Sequence, residues 1–188
     1  MVGMTLSIYE KSPAFDVINY LWKKLQDSSV MNASDYYLDA FETNIIPIIP
    51  IQEQPEIANY LNDKPYMTYD FIGYAQDDEQ FFVNEEALMF TIYSPSMAKI
   101  MQIVRVFNET FRGYDESARK LQNAPTTSGD FFFYYTRLDG ITISGEASRE
   151  SGRITAEICV CYKYGEPMDY SGEYTNNISY NEEYNEDF

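Results

Sequence analysis

The stretch Arg153–Tyr164 alternates without a break, with Ile154, Ala156, Ile158, Val160 and Tyr162 on one side. A period of two over this length demands a long strand with one face on a core. Glu85–Tyr93 repeats the pattern, setting Leu88, Phe90 and Ile92 against Met89, Thr91 and Tyr93. Pro65–Ala75 places Met67, Tyr69 and Phe71 on one face. Phe131–Leu138 reads as a further strand. Asp139-Gly140 is a hairpin-type turn, after which Ile141–Glu146 is expected to pair back.

Two helices accompany these strands. Ser12 is a capping residue and Pro13 suits a first helical turn, with Phe15, Ile18, Leu21, Trp22 and Leu25 at helical spacing behind them. Lys23 and Lys24 complement the dipole at the far end. Ser94-Pro95 marks the second start, followed by the stripe Met97, Ile100, Met101, Val104, Phe107 and Phe111, with Gly113 as its end. A short further helix is expected over Asp115–Gln122, and loop over most of Ser28–Asn44. The run Asn44-Ile-Ile-Pro-Ile-Ile-Pro-Ile51 cannot be a central strand, because proline lacks the donor a ladder needs, so it reads as an extended edge segment. The order helix, strands, helix, strands predicts an α+β domain over residues 12–165. Its sheet should be mostly antiparallel and flanked by two main helices, with an extended N-terminal arm at 1–11 and a C-terminal tail at 166–188.

The 188 residues include no histidine, so the commonest general base and metal ligand is missing. Neither a Ser-His-Asp nor a Cys-His site can form within one chain. The net charge of −17 argues against a grip on nucleic acid, which takes clustered Lys and Arg. Cys159 and Cys161, the only cysteines, sit two apart on one strand face, a poor geometry for a disulfide. They read as reduced, small apolar residues of a cytosolic protein, and two soft ligands are too few for a metal. Asp77-Asp78-Glu79 reads as a solvated turn, since it lacks the spaced ligands of a calcium loop. Gly140, Gly145 and Gly152 read as turns and not as a phosphate cradle. No cofactor, metal or catalytic residue is expected. No signal peptide or membrane-length apolar run is visible.

What remains points to assembly. Tyrosine, at 18 residues beside 12 Phe and one Trp, serves both sheet faces and interfaces. Arg105, Arg112, Arg119 and Lys120 form the main basic cluster of an acidic chain. They suit either local pairing with Glu109, Asp115 and Glu116 or an ion-pair surface between subunits. Residues 166–188 hold seven acidic residues and no Lys or Arg, with Tyr170, Tyr174, Tyr180 and Tyr184 spaced along them. Alone such a segment lacks the apolar area to fold, so the expectation is docking on a neighbouring subunit or partner through those tyrosines.

The segments Asn44-Ile-Ile-Pro-Ile-Ile-Pro-Ile-Gln, Lys64-Pro-Tyr-Met-Thr-Tyr and Glu86-Ala-Leu-Met-Phe-Thr-Ile-Tyr-Ser, then the helix Lys99–Phe111 and Arg112-Gly-Tyr-Asp-Glu-Ser-Ala-Arg-Lys-Leu-Gln-Asn123, come in an order and spacing that resembles a known family. These are the tail terminator proteins of contractile-tailed bacteriophages, called tail-completion or sheath-stabiliser proteins in T4-like phages. The likeness covers roughly 44–165, is carried by no single motif, and extends more weakly to the N-terminal helix; the acidic tail has no counterpart. It implies a hexameric ring that caps the tail tube and sheath, stops tail growth, and offers a docking surface to the neck proteins while DNA runs through its lumen. It also implies a place in the virion, after assembly in the host cytoplasm. Other readings are a stopper or adaptor ring of the head-tail connector, a carboxylate-dependent metal hydrolase, and an acidic DNA mimic.

Overall fold

The computed structural model describes residues 12–39, 42–54, 58–61, 63–76, 83–111, 131–144 and 152–165. Within them lie two α-helices, α1 (Pro13–Asp27) and α2 (Met97–Thr110), and seven strands. The strands are β1 (Tyr37–Leu38), β2 (Thr43–Asn44), β3 (Ile48–Pro50), β4 (Tyr66–Gln76), β5 (Val83–Ser94), β6 (Phe132–Ile143) and β7 (Ile154–Gly165). The fold is α+β, with two main helices and a mostly antiparallel sheet.

Five strands form the main sheet in the order β3-β4-β5-β7-β6. The pairs β4–β5, β5–β7 and β7–β6 are antiparallel. Only the short β3 runs parallel to its neighbour, pairing Ile48, Ile49 and Pro50 with Met67, Thr68 and Tyr69. The two-proline segment therefore does lie at a sheet edge, where a missing donor does least harm. Residues 28–44, expected as loop, contain a single turn of 3-10 helix at Ala33–Tyr36 and the two-residue ribbon β1–β2.

Alternation dictates which face is buried. Leu88, Phe90 and Ile92 of β5 are fully buried, as are Ile158, Val160 and Tyr162 of β7. Helix α2 lies on this face, with Phe107 against Phe90 at 5.2 Å between ring centroids, and α1 packs against α2. Burying one such leucine, isoleucine or phenylalanine side chain contributes about 1.5–3 kcal/mol relative to exposure, so this one face carries most of the cohesion.

Both helix starts are fixed by serine caps. Ser12 Oγ accepts from the Phe15 amide at 3.2 Å and Pro13 opens α1, as the sequence predicts. At α2 the cap is Ser96, whose Oγ accepts from the Lys99 amide at 3.4 Å, so Pro95 precedes the helix and is not its first residue. The buried stripe of α2 is also rotated from the expected one. Ile103 and Val106 are buried while Met101 is about half exposed, because α2 is covered by α1 as well as by β5 and β7. The helix ends at Thr110, before Gly113, which lies outside the described residues.

The expected hairpin at Asp139-Gly140 does not form. Strand β6 continues straight through it and pairs with β7 on both sides, Leu138 opposite Val160 and Gly140 opposite Cys159. Asp139 is the extra residue of a bulge. Aspartate and glycine carry the same turn signal in either setting, and the twelve-residue length of β7 supplies a continuous partner that favours the bulge.

Candidate assembly surface

A sheet that ends in open edges offers unpaired backbone donors and acceptors. Strand β6 is one edge of the main sheet, twelve residues long, with β7 as its single strand partner among the described residues, and midway along it the Leu138 amide donates to the Phe111 carbonyl at 3.0 Å, so the edge is open only in part. At the other edge β3 covers only Met67–Tyr69, so β4 beyond Tyr69 has β5 as its single strand partner among the described residues. Large apolar side chains stand out near both edges. Phe71 and Ile72 are 52% and 50% exposed on β4, where Ile72 is the extra residue of a second bulge. Tyr134 and Ile141 are 48% and 38% exposed on β6.

Between these edges, near the ends of β5 and β7, lies a polar knot in an aromatic cluster. Glu86 of β5 accepts hydrogen bonds from the Tyr162 hydroxyl and, at 2.7 Å, from the Tyr164 hydroxyl. Phe131 meets Tyr164 edge-on at 5.5 Å, and Phe133 lies 6.1 Å from Tyr162. Burial, reinforced by the Glu86 carboxylate, pushes the Tyr162 hydroxyl well above the ordinary phenol range. The arrangement is a neutral-donor clamp on one carboxylate, suited to rigidity and not to proton transfer.

A second buried polar site ties the residues just ahead of β4 to the sheet. The Arg153 guanidinium donates to the carbonyl oxygens of Leu61 and Lys64, at 2.5 and 3.1 Å, and stacks over the Tyr66 ring at 4.9 Å. Tyr66 in turn stacks on Tyr93 at 4.9 Å. Arg153, only 6% exposed, thus fastens the 61–64 turn beneath β4.

The face of the sheet turned away from α2 is half exposed. Arg137 on β6 lies 3.6 Å from Glu85 on β5 and 5.7 Å from the Tyr135 ring. Burial, then the Glu85 carboxylate, pushes Tyr135 up to about 12. Cys159 and Cys161 are both free thiols on this face, Cys161 buried and Cys159 half-buried. Burial and the adjacent Cys161 push the Cys159 thiol up to about 11, which leaves it protonated and a poor nucleophile at neutral pH.

Of the basic cluster, only Arg105 is described. It is well exposed on α2 and pairs within its own helix, Nε to Glu109 Oε1 at 2.7 Å, the local pairing that its spacing allows. Arg112, Arg119, Lys120, Tyr170, Tyr174, Tyr180 and Tyr184 lie outside the described residues, as do the arm 1–11, the segment Asp115–Gln122 and the acidic turn Asp77-Asp78-Glu79. Two clefts among the described residues, one lined by Tyr20, Lys24, Val106 and Glu109 and mostly apolar, the other by Asp35, Asp63, Lys64 and Lys99 and of mixed polarity, are both wide open to solvent. In the second, Lys99 Nζ donates to the Val30 carbonyl at 2.8 Å. No helix among the described residues is long and apolar enough to cross a membrane.

The sheet edges and the Arg153 and Glu86 sites were not legible as sites in the sequence. Their partners lie 76–92 residues apart, and no spacing rule spans that distance. No known family's sequence profile matches the chain, and no curated protein matches it.

Proposed function

We propose that this chain is a virion structural protein, a tail terminator of a contractile-tailed phage, that works as a ring of identical subunits. The observation that carries the reading is a pair of unlike sheet edges that have no second strand partner among the described residues, β6 on one side and β4 beyond Tyr69 on the other. Two different surfaces that join head to tail make a heterologous contact, and such contacts close into rings when the rotation permits. Strand addition supplies main-chain hydrogen bonds at that contact, and Phe71, Ile72, Tyr134 and Ile141 supply apolar area. The order and spacing of the segments over 44–165 favours the terminator ring, a homo-hexamer between the tube and sheath below and neck proteins above.

Charge supports the same reading. Six copies at −17 carry a formal charge of about −100, and carboxylates along a lumen repel phosphates, so that a genome passes without sticking. A stopper or adaptor ring of the connector is the second reading, since open edges serve any ring. Among the described residues no group of three carboxylates converges, which gives a carboxylate-dependent metal hydrolase no support there.

Class-averaged electron micrographs of the full-length protein, alone and mixed with tube and sheath proteins, test the proposal. Sixfold rings that copurify with tube and sheath are expected. A protein that stays monomeric under both conditions would overturn the ring. Rings that bind only portal-side proteins would transfer the reading to a stopper or adaptor, and a neutral or basic lumen would remove the repulsion argument.

A further inference from the structure

The bulge in β6 brings a third donor to the two thiols. Asp139, the extra residue of that bulge, comes to the same place as Cys159 and Cys161 of β7, with one carboxylate oxygen and both Sγ atoms within 4.8 Å of one another. Among the described residues it is the one such grouping of three ligand-type side chains. We propose that Asp139, Cys159 and Cys161 form a binding site for a thiophilic divalent cation, zinc by choice of ligands, independent of the ring reading above.

The ligand chemistry selects the ion. Two thiolates and one carboxylate match the sulfur and oxygen donors that zinc takes in tetrahedral sites. Bond lengths of about 2.3 Å to sulfur and 2.0–2.2 Å to oxygen set donors about 3.5–3.8 Å apart, so the group needs to close by only about 1 Å. Cys159 and Cys161 alternate onto one face of the rigid central strand β7, which holds both sulfurs in place. Asp139 is exposed and can swing inward. Magnesium and calcium, which take oxygen donors only, are disfavoured.

Access and charge fit as well. Gly140 stands opposite Cys159 on β6, and a Cβ there would meet nothing within 4 Å, so there is room beside the half-buried Cys159. Arg137, 4.0 Å from Asp139 and in contact with Cys161, offsets the excess negative charge of two thiolates and a carboxylate around one dication. Two thiol protons leave to solvent as the metal enters. Three protein ligands leave a fourth position for water. Two cysteines alone are too few for a metal site, and only the pairing of β6 with β7 brings the third donor to them.

The full-length protein, reduced and stripped with chelator, is titrated with zinc by calorimetry and with cadmium by ultraviolet absorbance. One ion per chain and a thiolate-to-cadmium charge-transfer band are expected. Cys159→Ser, at a half-buried position, should abolish the band's full height and weaken zinc by at least about 10-fold, the loss that even an outer partner of a ligand carries. Asp139→Asn, on an exposed side chain, should weaken zinc by a similar factor while leaving circular dichroism unchanged. Asp63→Asn, exposed ahead of β4, should leave binding as it is. The proposal fails if no band appears, if zinc binds as well to Asp139→Asn as to the parent, or if Asp63→Asn loses binding equally, which would mark diffuse attraction by an acidic surface.

Discussion

The Tyr164 hydroxyl donates to Glu86 across 78 residues of sequence, at 2.7 Å, and Tyr162 donates to the other carboxylate oxygen of the same residue. Both hydroxyls come from the last strand, two residues apart, and close on a single side chain of the neighbouring strand. Hydrogen bonds to a charged acceptor contribute about 1.5–3 kcal/mol, more than neutral ones. Tyr164→Phe, which deletes only an oxygen, should lower stability by about 1–2 kcal/mol. Glu86→Leu removes the acceptor of both, and the two orphaned hydroxyls should bring the cost to about 2–3 kcal/mol. Urea unfolding followed by circular dichroism measures both; equal midpoints for parent and variants would mean that the clamp is idle.

Alkaline pH should loosen the fold through its tyrosines. Tyr20, Tyr36, Tyr135 and Tyr162 are all raised above the phenol range, each mainly by burial. A group that holds its proton more tightly when folded adds stability that is complete below its unfolded value, about 10, and is lost as pH rises through the folded one. For Tyr135 that window runs from about 10 to about 12. The unfolding midpoint should therefore begin to fall above about pH 10, together with a rise in phenolate absorbance. A protein whose tyrosines ionise freely at pH 10 while it stays folded would contradict these burials.

Arg153→Lys should cost about 2 kcal/mol although charge is kept. Lysine has no planar fork to reach the Leu61 and Lys64 carbonyl oxygens together, and no flat cation to lay on Tyr66. Near-ultraviolet circular dichroism should lose part of the Tyr66–Tyr93 signal. An unchanged spectrum and midpoint would show that the turn at 61–64 is held by other contacts.

Gly152 has φ of +66°, a conformation that costs an L-residue about 1–2 kcal/mol. Open space surrounds the position, so Gly152→Ala tests the backbone alone. The expected loss is about 1 kcal/mol, and any gain in thermal midpoint would refute the left-handed geometry ahead of β7.

Charges placed on the open edge should separate assembly from folding. Tyr134→Lys with Ile141→Lys alters two exposed positions of β6 and should leave the unfolding free energy within about 0.5 kcal/mol. Sedimentation should nonetheless shift toward monomer. Intact rings from the double variant would move the subunit contact away from β6.

Elements whose pattern is purely local were legible in the sequence. Ser12-Pro13 and the spacing from Ile18 to Leu25 place α1, and alternation places β5 and β7 to within a residue or two. The misreadings share a cause. Asp139-Gly140 reads as a turn because a bulge and a hairpin use the same residues, and only the partner strand distinguishes them. The apolar spacing puts Met101 on the buried side of α2 and omits Ile103, because small rotations of a helix are decided by the elements packed against it. The Glu86 clamp, the Arg153 anchor and the open edges depend on which strands become neighbours, and that order is not written in any window of sequence.

The bulge at Asp139 has one more effect. A twelve-residue open strand is ordinarily a hazard, since it templates any extended chain that passes and invites runaway stacking into fibrils. Here that insertion and a second one at Tyr134 divide the strand into three shorter runs and sharpen its twist, so that an arbitrary flat strand meets only part of a ladder. A partner edge that carries a bulge of its own follows such a rim better than a flat one. Strand β4 has one, between Phe71 and Gly73. In the ring proposed above, such kinks would act as a key and its ward, favouring the chain's own copies over passing strangers.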